Sequence, residues 1–233
     1  MKIGILMTGH AVPELIETRG DYDAMFAALL DGHGFTFERY DVVDEQYPAS
    51  PADADGWLIT GSRHGAYEDH PWIPPLEDFI RAVHADGRPM IGICFGHQII
   101  AQALGGKVVK FPGGWSVGRV TYDIDGTELA MNAWHQDQVV ELPKEAQVIG
   151  RTDFCANAAL LYGEQILTIQ PHPEFDSGVL DTIIRLRGKG VVPDDQLAQA
   201  SADLNHPLDR NIFARRMADF FLNAHRSKGH GNG

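Results

Sequence analysis

The stretch PMIGICFGHQIIAQALGG, residues 89–106, contains a short apolar strand that turns sharply into a helix. Met90–Ile93 is an apolar run of the kind that is buried on both faces of a parallel sheet. Over 97–104 the apolar residues fall on one side of a helix. Cys94 therefore lies in the turn between the two elements, and its thiol is expected at the carboxyl edge of the sheet.

Cys94 has the local pattern of a catalytic nucleophile. Gly92 and Gly96 flank it in the sequence G-x-C-x-G, the cysteine form of a nucleophile elbow, where crowding favours residues without a Cβ atom. The start of the following helix adds partial positive charge and free N–H groups, which favour a thiolate and can hold a developing oxyanion. A small buried cysteine beside a tight turn is the alternative interpretation. The choice between them depends on a base elsewhere in the chain.

The sequence Gln170-Pro-His-Pro-Glu174 is the best source of that base. If the strand continues through the prolines in an extended form, His172 and Glu174 point to the same face. Glu174 can then accept the proton of one ring nitrogen while the other faces Cys94, as in a triad of nucleophile, base and orienting acid. Taken alone, His-Pro-Glu could equally be a polar strand end. Together with G-x-C-x-G it predicts a Cys–His–Glu triad.

Other polar residues rank below this set. His135 is a second candidate base, and Asp137 can line the same pocket, but nothing beside His135 orients its ring as Glu174 could orient His172. Cys155 has no partner pattern and is expected in the core. His64, Glu68, Asp69 and His70 can all ligate metals, yet their spacing matches no zinc template, so we expect neither a metal nor a cofactor. The glycine-rich stretch 113–118 lacks the lysine of a phosphate loop.

Composition limits the classes of partner. The chain has 233 residues, a formal net charge of −13 and a pI of about 5.1, which oppose binding to nucleic acid or to an anionic membrane. It has two cysteines and no secretory signal, which favours a cytoplasmic location. The longest uncharged run, 89–106, contains polar residues and glycines that are unsuited to a bilayer helix. A small-molecule substrate is the expected partner.

Strand and helix patterns alternate in the first half of the chain. They predict an α/β fold with three layers, in which a mixed, mostly parallel sheet carries helices on both faces. We expect a single domain over 1–225 with C-terminal helices, a polar loop over 187–209 and a disordered tail over 226–233. The predicted strands are 2–7, 35–43, 56–60, 90–93, 107–111, 116–124, 138–142, 147–152, 158–162 and 165–170. The predicted helices are 22–30, 74–85, 97–104, 177–186 and 211–225.

Three blocks of this sequence resemble the class I, triad-type glutamine amidotransferases. Residues 92–98 resemble the nucleophile motif of that family, 170–174 resemble its His/Glu motif, and 59–62 stand where the family has its oxyanion loop. The resemblance implies the flavodoxin-like fold of the family. No synthetase segment follows the triad, so the chain resembles the stand-alone members that are similar to the amidotransferase domain of GMP synthase.

The resemblance also implies roles for individual residues. Cys94 would attack the side-chain amide of glutamine, His172 would act as base and then protonate the departing ammonia, and Glu174 would orient His172. The backbone N–H groups of Gly61 and Phe95 would form the oxyanion hole, although the loop Thr60-Gly-Ser-Arg-His64 departs from the Gly-Gly-Pro-like sequence usual in the family. The expected substrate-binding residues are Gln98, Ser62, His135 and Asp137.

Three functions fit these residues. The first is a glutaminase that releases ammonia, alone or to a separate synthetase partner. The second is a γ-glutamyl peptidase or hydrolase acting on glutathione-like compounds, which would use the same thioester. The third is a catalytically silent binding protein on the same fold, which the intact triad argues against. A pocket that is open beyond the amide nitrogen would favour the peptidase.

Overall fold

The architecture is a large mixed sheet between two layers of helices, as the sequence predicts. The computed structural model describes residues 1–230, with side chains through residue 225. The strands are β1 Lys2–Leu6, β2 Thr36–Tyr40, β3 Gly56–Ile59, β4 Met90–Ile93, β5 Lys107–Lys110, β6 Ser116–Ile124, β7 Thr127–His135, β8 Asp137–Glu141, β9 Ala146–Arg151, β10 Ala159–Tyr162 and β11 Ile166–Ile169. The helices are α1 Pro13–Arg19, α2 Tyr22–Leu29, α3 Ile73–Asp86, α4 Phe95–Ala103, α5 Ser177–Ile183, α6 Asp194–Ala202 and α7 Arg210–His230.

The large sheet has the strand order β2-β1-β3-β4-β11-β10-β9-β6-β7. The strands from β2 to β11 in this order pair in parallel, and the rest of the sheet is antiparallel. Strands β5 and β8 form a separate antiparallel pair. Because β4 pairs in parallel with both β3 and β11, the carboxyl ends of these three strands lie side by side at one edge of the sheet. The residues after them are Thr60, Cys94 and Gln170, so each predicted motif begins at that edge.

Alternate residues of the central strands supply the two hydrophobic cores. On one face Ile91 and Ile93 of β4 belong to a cluster with α2, α5 and α7, including the fully buried Phe221. On the other face Met90 belongs to a cluster with α3 and α4, including the fully buried Ile99. Complete burial of such an aliphatic side chain contributes about 1.5–3 kcal/mol, which accounts for a strand that is apolar on both faces.

The antiparallel half contains a strand that the sequence analysis missed. Strand β7 pairs with β6 along its whole length through a tight hairpin. The turn is Asp125-Gly126, and both residues have positive φ, 50° and 78°. Asp-Gly is a strong signal for this kind of two-residue turn. Strand β7 itself has little alternation of apolar and polar residues, so its periodicity does not reveal it.

The helical part also differs from the prediction. Helix α1 was not predicted, and α6 lies inside the expected polar loop 187–209. The α-helical part of the predicted helix 177–186 ends at Ile183 and continues as a π-helical turn, Ile184–Gly188. Helix α7 runs to His230, past the expected end at 225, so the expectation of a disordered tail is wrong for residues 226–230. The rest of that predicted tail, 231–233, lies outside the described residues. Among the described residues, no helix is long and apolar enough to span a membrane.

Candidate active site

Cys94 occupies a strained turn between β4 and α4. Its φ of 52° and ψ of −101° lie outside the regions that most side chains adopt. Gly92 and Gly96 make this turn possible, because a Cβ atom at Gly92 would lie 2.6 Å from the Gly96 backbone and one at Gly96 would lie 2.4 Å from the Ile59 oxygen. The Cys94 N–H donates to the Ile169 carbonyl at 2.8 Å, which joins the elbow to β11. Cys94 is 5% exposed and lines a cavity.

His172 and Glu174 meet as predicted, but through a turn rather than an extended strand. The Nδ1 atom of His172 is 2.7 Å from the Oε1 atom of Glu174, and both side chains are buried. Strand β11 ends at Ile169, and the His172 backbone makes an isolated bridge to Asn132 of β7, with its N–H donating to the Asn132 carbonyl at 2.9 Å. The expectation of an extended segment is therefore wrong, because prolines lack the N–H that would continue the ladder.

The electrostatics of His172 suit an acid–base role. Burial of the ring opposes its protonation, but the Glu174 carboxylate and the Cys94 sulfur outweigh that effect and raise the pKa of His172 to about 10. The Cys94 sulfur lies close enough to the ring to contribute to this rise in pKa. Because Nδ1 is engaged by Glu174, Nε2 is the nitrogen left for the sulfur. A protonated imidazole in this position can deliver its proton to a leaving group.

Two side chains that the sequence analysis did not assign to the site hold the imidazole and the thiol in place. Phe175 stacks on the His172 ring with 4.0 Å between ring centroids and 4° between ring planes. The Nε2 atom of Gln170 donates to the Cys94 sulfur at 3.6 Å. Both residues lie within two positions of the His-Pro-Glu motif in the sequence, and this closeness is the signal that could have assigned them to the site. Tyr22, which stacks on Phe175 from α2, gave no local signal.

Gly61, the expected oxyanion donor of the loop after β3, lies beside His172 and Cys94. A Cβ atom at Gly61 would lie 2.9 Å from Cε1 of His172 and 3.7 Å from Cβ of Cys94, so only glycine fits beside the ring. Phe95 follows Cys94 at the start of α4 and is buried. The hydroxyl of Ser62 donates to the Thr8 carbonyl at 2.6 Å. The same hydroxyl accepts a hydrogen bond from the His64 backbone N–H at 3.2 Å. Ser62 therefore holds the loop, besides lining the cavity.

The other predicted binding residues lie on one wall of the cavity. The Nδ1 atom of His135 is 3.3 Å from the Asp137 carbonyl oxygen, and Nε2 of Gln98 donates to the same carbonyl at 2.9 Å. Burial lowers the pKa of His135 to about 3, so this ring is neutral at physiological pH. The partner of the His135 ring is a backbone carbonyl, whereas the partner of the His172 ring is a carboxylate. The Asp137 carboxylate accepts a hydrogen bond from Tyr67 at 3.2 Å.

Two further candidates have structural explanations. His64, Glu68 and His70 place their ligand atoms within 4.8 Å of one another, without Asp69. Both histidines are hydrogen bonded to Glu68, at 3.3 and 2.8 Å, and these bonds account for the cluster. Cys155 is buried, and burial raises the pKa of its thiol to about 12, so it is a core residue as predicted.

The cavity extends well beyond the triad and has a volume of about 530 Å³. Residues from seven separate stretches of the chain line it. They are Tyr22, Gly61–Gly65, Tyr67, Glu68, Cys94, Gln98, Lys110, Trp115, Trp134–Asp137, His172, Phe175, Ile183, Leu186, Arg187, Lys189 and Val191. The cavity therefore contains Cys94 and His172 together with every predicted binding residue.

Comparison with known proteins identifies the family of this chain. The family model for glutamine amidotransferase class-I matches residues 32–186. The chain belongs to this family. A glutamine amidotransferase-like protein of Schizosaccharomyces pombe is 30% identical over 94% of this chain and 98% of its own length. Gamma-glutamyl peptidase 4 of Arabidopsis thaliana is 33% identical over 88% of each chain.

The chain also matches part of a longer relative and a solved structure. The GMP synthase of Aeropyrum pernix is 31% identical over 63% of this chain, which corresponds to 32% of the synthase. The crystal structure of a glutamine amidotransferase from Methylobacillus flagellatus covers 97% of this chain with a TM-score of 0.75 and 24% identity, and this chain covers 94% of it. These matches confirm the predicted family, its similarity to the amidotransferase part of GMP synthase, and the α/β fold.

Proposed function

We propose that this protein hydrolyses the C–N bond of γ-glutamyl amides through a γ-glutamyl thioester on Cys94. The observation that carries the proposal is the buried pair of His172 Nδ1 and Glu174 Oε1, 2.7 Å apart, next to the Cys94 thiol. A carboxylate that fixes one ring nitrogen leaves the other free to exchange a proton with the nucleophile and the leaving group. The intact triad opposes a purely binding function.

The reaction proceeds in two halves. The Cys94 thiolate attacks the γ-carbonyl carbon, a C–S bond forms, and the carbonyl electrons move to the oxygen. When the tetrahedral intermediate collapses, the C–N bond breaks and the amine leaves with the proton from His172 Nε2. Neutral His172 then removes a proton from water, which attacks the thioester, and the C–S bond breaks to release glutamate. Glu174 keeps the ring in one tautomer throughout.

The backbone N–H groups of Gly61 and Phe95 are the proposed oxyanion donors. Gly61 has the close approach to His172 and Cys94 that this role requires. The Phe95 N–H belongs to the first turn of α4, where backbone N–H groups carry partial positive charge. Loss of one such donor typically costs about 10²–10³ in rate. Gln98, His135 and Asp137 are the proposed contacts of the γ-glutamyl unit.

Glutamine is the first candidate substrate, and its ammonia can be released to water or taken up by a separate synthetase. A γ-glutamyl peptide is the second candidate. The cavity volume of about 530 Å³ favours the peptide, because a pocket of this size suits ligands larger than one amino acid. The similarity to gamma-glutamyl peptidase 4 supports the same choice.

A paired assay of glutamate release from glutamine and from glutathione tests the proposal. We expect hydrolysis by the parent protein, and loss on the order of 10⁴-fold or more in Cys94→Ala. Cys155→Ala is the matched control, because it removes the other cysteine from the core, and it should stay active. An active Cys94→Ala variant would refute the thioester mechanism.

A second measurement covers the case in which the isolated protein hydrolyses neither substrate. A glutamine-like electrophile should then still label Cys94, and unlabelled Cys94 would count against a γ-glutamyl site. Labelling without turnover would indicate that a partner subunit is needed.

A further inference from the structure

One wall of the cavity is formed by the segment that runs from the π-helical turn, Ile184–Gly188, to Val191. Leu186 and Val191 line the cavity although they are 48% and 56% exposed. Gly188 holds the segment against α6, because a Cβ atom there would lie 2.7 Å from Leu197. The π-helical turn, a rare geometry that recurs at functional sites, sets the direction of this wall. The segment therefore presents both apolar surface and charge to the cavity.

Positive charge is concentrated at this cavity. Most Lys and Arg side chains of the described residues form ion pairs with carboxylates, namely Lys2, Arg19, Arg39, Arg81, Arg88, Lys107, Arg151, Arg185, Arg210 and Arg216. Four others line the cavity: Arg63, Lys110, Arg187 and Lys189. Within the part of the chain that the structure describes, none of the four has a carboxylate within ion-pair distance. This arrangement is unexpected for a protein with a net charge of −13.

The acidic groups of the cavity wall do not neutralise these cations by direct contact. The Glu68 carboxylate is hydrogen bonded to two histidines, and Asp137 is hydrogen bonded to Tyr67. Burial raises the pKa of the Asp137 carboxyl, and the smaller effects of Tyr67 and Lys110 do not reverse that rise. The cations are therefore available to an anionic ligand.

The four cations lie at two depths. Arg187 is half-buried and donates to the His10 carbonyl at 3.3 Å. Burial raises the pKa of the nearby Tyr22 phenol, and the charge of Arg187 opposes part of that rise. Arg63, Lys110 and Lys189 are exposed and come from three separate elements, the loop after β3, the end of β5 and the segment after the π-helical turn. Since glutamine offers a single carboxylate, the three outer cations are more than its binding requires.

We propose that Arg63, Lys110 and Lys189 bind a carboxylate on the amine side of the scissile bond, as in a γ-glutamyl peptide with a free C-terminus. The inference rests on the proposed γ-glutamyl hydrolase function and defines its substrate class. The apolar residues Trp115, Leu186 and Val191 line the same cavity and provide surface for the side chain of the leaving amino acid. The segment around Lys189 is then part of the substrate site.

The test compares γ-glutamylleucine with γ-glutamylleucinamide, which differ only in the C-terminal charge. We expect kcat/KM for the acid to exceed that for the amide by about tenfold at low ionic strength, since charge-assisted contacts contribute on this scale. The ratio should fall toward one in 0.5 M salt, because the outer cations are exposed and screened. The triple variant Arg63→Gln, Lys110→Gln, Lys189→Gln should also bring the ratio near one.

A charge reversal and a control sharpen the result. Lys189→Glu should lower the ratio more than Lys189→Gln, whereas a merely structural role would affect acid and amide equally. Lys144→Gln with Arg215→Gln removes two cations that do not line the cavity and should leave the ratio unchanged.

Equal turnover of acid and amide by the parent protein would overturn this inference while leaving the hydrolase function intact. Failure to hydrolyse any γ-glutamyl compound would instead count against the proposed function itself.

Discussion

The Nδ1 atom of His172 lies 2.7 Å from the Oε1 atom of Glu174, although only one residue separates them in the sequence. A turn, and not a strand, makes this contact, with Phe175 stacked against the imidazole. The ring thus has a carboxylate on one nitrogen, the Cys94 sulfur nearby and an aromatic ring stacked on its face. Each of these contacts restricts the ring to the orientation that proton transfer requires.

Glu174→Gln should lower kcat/KM for γ-glutamyl substrates by on the order of 10²–10⁴, because an amide removes the charge that stabilises the imidazolium and can favour the wrong tautomer. Single-turnover acylation of Cys94 is the direct measurement. Glu145→Gln is the matched control, since Glu145 also pairs with a histidine, His84, at 3.1 Å, but on the surface. Equal acylation rates for the two variants would show that Glu174 does not orient the base.

The elbow could be predicted because all of its determinants are local. Strand, glycines, cysteine and helix lie within 89–106, and the positive φ of Cys94 requires the two small neighbours that the sequence supplies. The paired motif at 170–174 was also visible. Its backbone conformation was not, because the bridge between His172 and Asn132 depends on strand β7, which is distant in sequence.

Other features depend on contacts that no local pattern encodes. Tyr22 reaches the site from α2 only because the parallel sheet brings that helix next to Phe175. The cavity wall around Lys189 depends on packing between Gly188 and Leu197 of α6, in a stretch whose polar composition resembles a loop. Strand β7 could have been recognised from Asp125-Gly126, since that dipeptide suits the positive φ values of a tight hairpin.

Phe175→Leu should lower kcat by roughly 10- to 100-fold, because the imidazole loses its stacking partner and with it part of its alignment. The pH profile of kcat should change as well, which a purely structural role would not cause. Phe26→Leu is the control for lost stability, since Phe26 is fully buried in α2 and away from the cavity. If both variants lose activity only in proportion to their unfolded fractions, Phe175 has no positioning role.

Gly96→Ala should disrupt the elbow, because its Cβ atom would lie 2.4 Å from the Ile59 oxygen, a backbone atom that cannot move away freely. We expect a loss of about 1–3 kcal/mol in the free energy of unfolding, together with most of the activity. Gly178→Ala is the matched control, at the second position of α5 as Gly96 is of α4. There the Cβ atom would meet the flexible end of Arg19. Urea unfolding and the glutamate assay compare the two, and equal stability would contradict the steric explanation.

Acid sensitivity of the fold should originate partly in His97. This ring is fully buried, and its Nδ1 atom is 2.7 Å from the Thr168 hydroxyl. Burial, with a smaller effect of His135, lowers the pKa of His97 from 6.5 to about 3. The unfolded chain therefore takes up a proton below pH 6.5 that the folded protein refuses, so stability is complete above pH 6.5 and falls as the pH decreases toward 3. The expected slope is about 1.4 kcal/mol per pH unit.

His97→Asn should reduce that slope by the same amount, because asparagine retains a polar group near Thr168 but does not titrate. Urea unfolding at pH 7, 6 and 5 measures the slope, which is independent of any constant loss from the smaller side chain. His206→Asn is the control, since the His206 side chain is 62% exposed and its hydration changes little on unfolding. If parent and His97→Asn proteins lose stability in parallel between pH 6.5 and 5, a neutral buried His97 does not cause the acid sensitivity.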